Sequence, residues 1–161
     1  MRQADLDYCI CMAPENLFYL SGYDSWTAAV NPQGLVFTAG NDLEDFMKNP
    51  PKDESAPVHQ FLKAISTATK PLIASVSGAA VGVGTTMLLH CDLVYAAPDA
   101  RFELPFVPLG IVPEFGSTFL LPLLAGYQRA AELLLLGQPF TAEKALQVGI
   151  VSSVVPENDL F

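Results

Sequence analysis

Apolar and polar positions alternate loosely over residues 6–12, which predicts a short strand, and Pro14-Glu15-Asn16 breaks it before an aromatic segment at residues 17–26. Asn31-Pro32-Gln33-Gly34 has turn composition and leads into the apolar triplet Leu35-Val36-Phe37, a strand that stops at Ala39-Gly40-Asn41-Asp42. Residues 43–47 read as a helical turn capped by Asn41 or Asp42, and residues 49–57, with three prolines, as a solvated loop. Over residues 59–69, Phe61, Leu62, Ile65 and Ala68 share one side of a helix that Lys70-Pro71 ends. A buried strand at 72–76 precedes a glycine-rich turn and a helix at 85–90. A strand at 93–97 then leads into a loop rich in Pro and Gly, followed by helices at 117–124 and 130–136. Thr141 is placed to cap a helix that closes at Gly149, with Glu143 in its first turn, and a strand at 150–155 ends at Pro156. This order predicts an α/β fold, with parallel strands joined by helical crossovers.

Composition narrows the function classes. The 161 residues are 51% apolar and 16% charged, enough to bury a core. Eight basic against seventeen acidic residues leave a net charge of −9, a field that repels a phosphate backbone, so nucleic acid is not the expected partner. The greasiest runs, at 119–124 and 133–136, are interrupted by Pro122, Gly126, Arg129 and Gly137 and fall short of the ~20 residues of a membrane span. Acidic residues stand where a signal peptide would carry its apolar stretch, and a cytoplasmic location is the expectation, with peroxisome or mitochondrion the alternatives in a eukaryote. Cys9, Cys11 and Cys91 form no disulfide framework, and the second ligand pair of a metal site is missing, so buried thiols and no metal are expected.

The glycine-rich turn invites two phosphate readings. Gly82-Val83-Gly84 between strand and helix is half of a dinucleotide fingerprint, but the third small residue would fall at Met87. A phosphate loop needs Gly-Lys-Ser/Thr, and Thr85-Thr86 follow Gly84. Gly78, Gly82 and Gly84 also suit the plain role of letting a helix start pack closely on a sheet. Serines 75, 77 and 117 lie outside a Gly-x-Ser-x-Gly elbow. His59 and His90 have no partner at motif spacing and read as solvated or capped, and Glu103 as an exposed strand end.

Taken together, Gly40-Asn41-Asp42-Leu43, the run from Lys70-Pro71 through Gly82-Val83-Gly84, and Cys91-Asp92-Leu93-Val94 resemble the crotonase superfamily of enoyl-CoA hydratases and isomerases. So do Ala100-Arg101-Phe102, Leu109-Gly110-Ile111-Val112-Pro113 and the stretch from Gly137-Gln138-Pro139 through Gly149-Ile150-Val151. The resemblance covers residues 34–161 and implies a crotonase-like (ββα)n spiral core. It further implies an acyl-CoA thioester as substrate, no cofactor beyond the coenzyme A that the substrate carries, and a homo-oligomer of the family's trimer type.

For the site, the resemblance implies an oxyanion hole made by the backbone N–H groups of Asn41 and Val83. Preorganised amides near a helix N-terminus suit the charge that a thioester enolate develops. Ala39, Gly40, Asp42, Gly82, Gly84, Phe106 and Pro113 fall at substrate-binding positions, with Phe106 and Leu104 as acyl-pocket walls. The two glutamates of the family's hydratases are replaced by Thr86 and Phe106, leaving water addition without its proton carriers. Leu109 through Ser117 instead resembles the Δ3,Δ2-enoyl-CoA isomerase branch, whose single catalytic glutamate falls at Glu114. One carboxylate suffices for a 1,3 proton shift. Val112, Pro113, Phe115 and Phe119 around it would raise its pKa by burial. The competing reading is a glutamate facing solvent and the dipole of the following helix.

The ends depart from the family pattern. Residues 4–27 resemble, over a short stretch, the amino-terminal domain of creatinase- and prolidase-type peptidases, without the metal-binding domain that peptidase activity needs. The sequence thus divides into an atypical segment, 1–33, and a crotonase-like core, 34–161, that is short at both ends. Exposed apolar surface and self-association are the expected consequences. Because coenzyme A is an anion, its binding must rest on local amides and on cations such as Lys70 or Arg101. A noncatalytic acyl-CoA-binding protein, and a hydratase lacking its two usual glutamates, remain as alternatives to an isomerase.

Overall fold

The structure, a computed structural model, describes residues 9–12, 35–37, 53, 56–69 and 71–160. Among them, strands β1 (Cys9–Met12), β2 (Leu35–Phe37), β3 (Ile73–Val76), β5 (Leu93–Ala96) and β8 (Ser153–Val154) form one sheet in the order β2-β1-β3-β5-β8. Every pairing in it is parallel. The register sets Ala74 beside Val94 and Val76 beside Ala96, and all four are buried, as a parallel sheet covered on both faces requires. A second sheet holds β4 (Ala79–Val81), β6 (Arg101–Glu103) and β7 (Phe140–Thr141), with β4 and β6 parallel and β6 and β7 antiparallel.

The chain passes from the large sheet to the small one through Ser77-Gly78, where Gly78 takes φ 89°, a left-handed value natural to glycine. A helix follows, α2 (Val83–Thr86), continued by a 3-10 turn at Met87–His90. The same strand, strand, helix succession recurs in β5, β6 and α3 (Ser117–Ala125). This is the ββα repeat expected from the sequence, and the α/β class and parallel crossovers hold with it. The small-sheet strands were not legible, because strands of two or three residues, such as β4 in a glycine-rich turn and β6 beside a proline-rich loop, carry no measurable alternation. Their anchor is Phe102, fully buried and stacked on Phe140 at 5.7 Å between ring centroids.

Helix bounds shift for local reasons. α1 (Pro57–Ser66) starts two residues ahead of the expected 59, since proline is at home in a first turn. It buries Phe61 and Ile65 one turn apart and stops before Ala68, which is exposed. Gly126, at φ 77°, both ends α3 and begins α4 (Tyr127–Leu136), three residues before the expected start. α5 (Ala142–Gln147) has the expected cap, the Thr141 hydroxyl accepting from the Lys144 N–H, and Gly149 at φ 81° turns the chain just beyond it. Ile150 and Val151 donate to the Ala145 carbonyl instead of extending the last strand.

Outside the core, Phe119, Leu123, Tyr127, Leu135 and Leu136 are exposed on α3 and α4, the apolar surface anticipated from the sequence. Cys91 is half-buried, more accessible than expected, and the side chains of Cys9 and Cys11 lie outside the described residues. Among the described residues, no helix is long and apolar enough to cross a membrane.

Candidate active site

The site is built where α2 meets the loop that precedes α3. Gly82 caps α2 with φ 59° and ψ −118°, a conformation open to glycine, and its carbonyl accepts from the N–H groups of Thr85 and Thr86. Its own N–H donates to the Glu103 carbonyl of β6, and the Thr85 hydroxyl donates to Ala80 and Glu103 carbonyls. The helix start is therefore fastened to the small sheet. Val83 and Gly84, the next two residues, are buried in the first turn, where N–H groups have no intrahelical acceptor. Glu103, read as an exposed strand end, is half-buried at this junction.

One turn after Val83, the fully buried Thr86 donates its hydroxyl to Glu114 Oε1 at 2.6 Å. Glu114 is thereby brought to the same helix as Val83. Burial pushes the Glu114 carboxyl above its ordinary value, and the Thr86 hydrogen bond and then the nearby charge of His90 act in the opposite direction. The apolar neighbours expected to cause that burial are not all where the sequence suggested. Val112 is 79% exposed and Phe119 68% exposed, because both sit on the outer side of the loop and of α3. Pro113 and Phe115 are half-buried.

The alternative of a glutamate turned to the following helix does not describe this side chain, which goes to Thr86. It is the Glu114 carbonyl that serves α3, accepting from the Ser117 N–H at 3.1 Å and from the Ser117 hydroxyl at 2.7 Å. Between them, Phe115 and Gly116 both adopt positive φ, 54° and 68°. A left-handed phenylalanine is rare, and such residues gather at functional sites.

His90 is capped by a backbone carbonyl, one of the two readings expected of it, but the carbonyl belongs to the loop that carries Glu114. Its Nε2 lies 2.9 Å from the Phe115 carbonyl, and its ring stacks on Phe115 at 4.0 Å. Sequence spacing hid this partnership, along with Thr86 to Glu114, because both cross 25 or more residues. The one available signal was that Thr86 occupies a hydratase glutamate position. His59, by contrast, is exposed and meets the Asp53 carbonyl, as a capped imidazole would.

Phe106 and Leu104 are buried in the core, and the Phe106 carbonyl accepts from Ile111, closing the loop that runs on to Glu114. Arg101 is exposed, its guanidinium donating to the Asp99 and Ala100 carbonyls. Ala39, Gly40, Asn41, Asp42 and Lys70 lie outside the described residues.

Residues 28–161 match the family described as enoyl-CoA hydratase/isomerase. The chain is 38% identical over 134 residues to 1,2-epoxyphenylacetyl-CoA isomerase of Escherichia coli K12, covering 79% of this chain and 51% of that protein. It is 37% identical over 131 residues to enoyl-CoA delta isomerase 2 of Rattus norvegicus, covering 78% and 34%. Among solved structures it resembles an enoyl-CoA hydratase/isomerase from Pseudoalteromonas atlantica, with a TM-score of 0.72 and 43% identity over 79% of this chain and 53% of that one. The chain thus spans about half the length, or less, of these relatives. The likeness of residues 4–27 to a peptidase amino-terminal domain is not borne out.

Proposed function

The chain belongs to the enoyl-CoA hydratase/isomerase family, and on that premise we propose that it acts on an acyl-CoA thioester as an isomerase, moving a double bond with Glu114 as the single proton carrier. The observation that supports this most is the placement of a half-buried carboxylate against Thr86, one helical turn from the Val83 amide. The thioester oxygen would rest on the Val83 N–H and, as the family resemblance implies, the Asn41 N–H. Each such donor is worth about 2.7–4 kcal/mol where charge develops on oxygen.

Glu114 takes a proton from C2 of a 3-enoyl thioester, the electrons pass to the thioester oxygen as a dienolate, and the same carboxyl returns the proton at C4. A carboxyl whose pKa is raised by burial is a stronger base once ionised, which suits removal of a weakly acidic C–H. Gly82 and Gly84 keep the backbone beside the oxygen uncluttered, Pro113 presents Glu114, and Phe106 with Leu104 forms the acyl wall. Arg101 is the described cation we assign to the coenzyme A end. Hydration is disfavoured because the Thr86 hydroxyl is committed to Glu114 and Phe106 has no proton it can transfer.

The test is incubation with a 3-enoyl-CoA and, separately, a 2-enoyl-CoA. Appearance of the conjugated 2-enoyl product without hydration of the second substrate supports the isomerase. Hydration of the 2-enoyl thioester would contradict it, and thermal stabilisation by coenzyme A with no turnover would favour a noncatalytic binding protein.

A further inference from the structure

We infer that His90 is a positioning residue for Glu114, holding the strained Phe115-Gly116 turn so that the carboxylate stays on Thr86; this rests on the reading of Glu114 as the proton carrier. The 83–90 segment grips two successive loop residues from one side. Thr86 takes the Glu114 carboxylate, and His90, four residues on, takes the Phe115 carbonyl at 2.9 Å and its ring at 4.0 Å. A carbonyl only accepts, so the hydrogen of this bond resides on His90 Nε2.

The grip is needed because Phe115 stands at φ 54°, a conformation that strains a bulky residue and persists only where its surroundings enforce it. Ser117 fixes the near side through the Glu114 carbonyl, and Gly116 accepts its positive φ without a Cβ penalty. That leaves the Phe115 peptide, and His90 is the side chain that holds it. Relaxation of Phe115 to negative φ would swing the preceding residue, and with it the carboxylate, off Thr86.

The experiment reads the protein without turnover. In the full chain, the carboxyl of Glu114 is titrated by carbon NMR, its resonance identified by loss in Glu114→Gln, and the His90 tautomer is read by nitrogen NMR. His90→Phe keeps a ring on Phe115 but removes the donor, and is expected to move the Glu114 midpoint upward by about 1–2 pH units as the carboxylate loses its Thr86 hydrogen bond, the loss of the His90 charge being common to His90→Gln. His90→Gln restores a donor without a ring or a titratable charge and is expected to bring the midpoint most of the way back. An unmoved midpoint in His90→Phe, or one as high in His90→Gln, overturns the inference. Should His90→Phe fail to fold, the native protein still decides, since a neutral His90 carrying its hydrogen on Nδ1 overturns it and one carrying it on Nε2 sustains it. If no double bond moves while these results hold, it is the isomerase reading that fails.

Discussion

The Thr86 hydroxyl and the Glu114 carboxylate, 28 residues apart in sequence, share a 2.6 Å hydrogen bond that ties the loop before α3 to the glycine-capped helix. Thr86 is fully buried, so its loss is not made good by water. Thr86→Val, which keeps the shape and removes the hydroxyl, is expected to destabilise the fold by about 1.5–3 kcal/mol at neutral pH. It should also raise the Glu114 midpoint. Denaturant unfolding beside carboxyl titration checks both, and Thr86→Ser should return most of each.

Stability should depend on pH through Glu114 in a defined sense. Its folded pKa lies above the ordinary glutamate value, so between the two the native state binds more protons than the unfolded chain. Stability from this group is therefore complete below the ordinary value and is lost as pH rises through the folded one. Glu114→Gln removes that loss, and above the window it should exceed the parent in stability. Urea unfolding at acid and neutral pH measures the difference.

How much was legible in the sequence follows from the range of each interaction. The large-sheet strands show in the chain as short apolar runs, although they pair across long separations, and the α5 cap is local chemistry, with Thr141 and Lys144 three residues apart. β4 and β6 escaped because each is only three residues long and lies in a glycine-rich turn or beside a proline-rich loop, where no alternation shows. In the site, Glu114 and Val83 could be named from motifs, but not what holds them. Thr86 looked like a vacancy where a hydratase keeps a glutamate, and His90 like a bystander, since only folding sets them against the 113–116 loop. Val112 and Phe119 were misjudged as neighbours of the carboxylate because apolar character does not tell which side of a loop a residue faces.

At the other end of the core, Thr141→Ala should cost about 0.5–2 kcal/mol by leaving the first turn of α5 uncapped. Glu143 lies beside that cap, its carboxyl held low first by its own backbone N–H and then by the Thr141 hydroxyl. Its contribution is present above the ordinary glutamate value and is lost as pH falls through the lowered one. Thr141→Ala should therefore show a smaller loss of stability in acid than the parent, as followed by thermal unfolding across that range.

Two glycines with the same φ should respond differently to alanine. Gly82 and Gly137 both lie at φ 59°, but a Cβ at Gly82 meets nothing within 4 Å, whereas at Gly137 it would meet Pro108 at 2.7 Å and the Leu104 carbonyl at 3.2 Å. Gly82→Ala should carry backbone strain alone, about 1–3 kcal/mol, and lower turnover by turning the Val83 N–H. Gly137→Ala should be the more destabilising, adding a clash against the loop around Phe106. Melting temperatures of the pair, with turnover for Gly82→Ala, test the contrast.

The central claim is that one carboxyl carries the proton in both directions. Steady-state conversion of a 3-enoyl-CoA to its 2-enoyl isomer, compared between the parent and Glu114→Gln, tests it most directly. Glutamine keeps the acceptor for Thr86 and cannot take the C2 proton, so the rate is expected to fall by about 10²–10⁴-fold with KM little changed. An unchanged rate in Glu114→Gln would contradict the account.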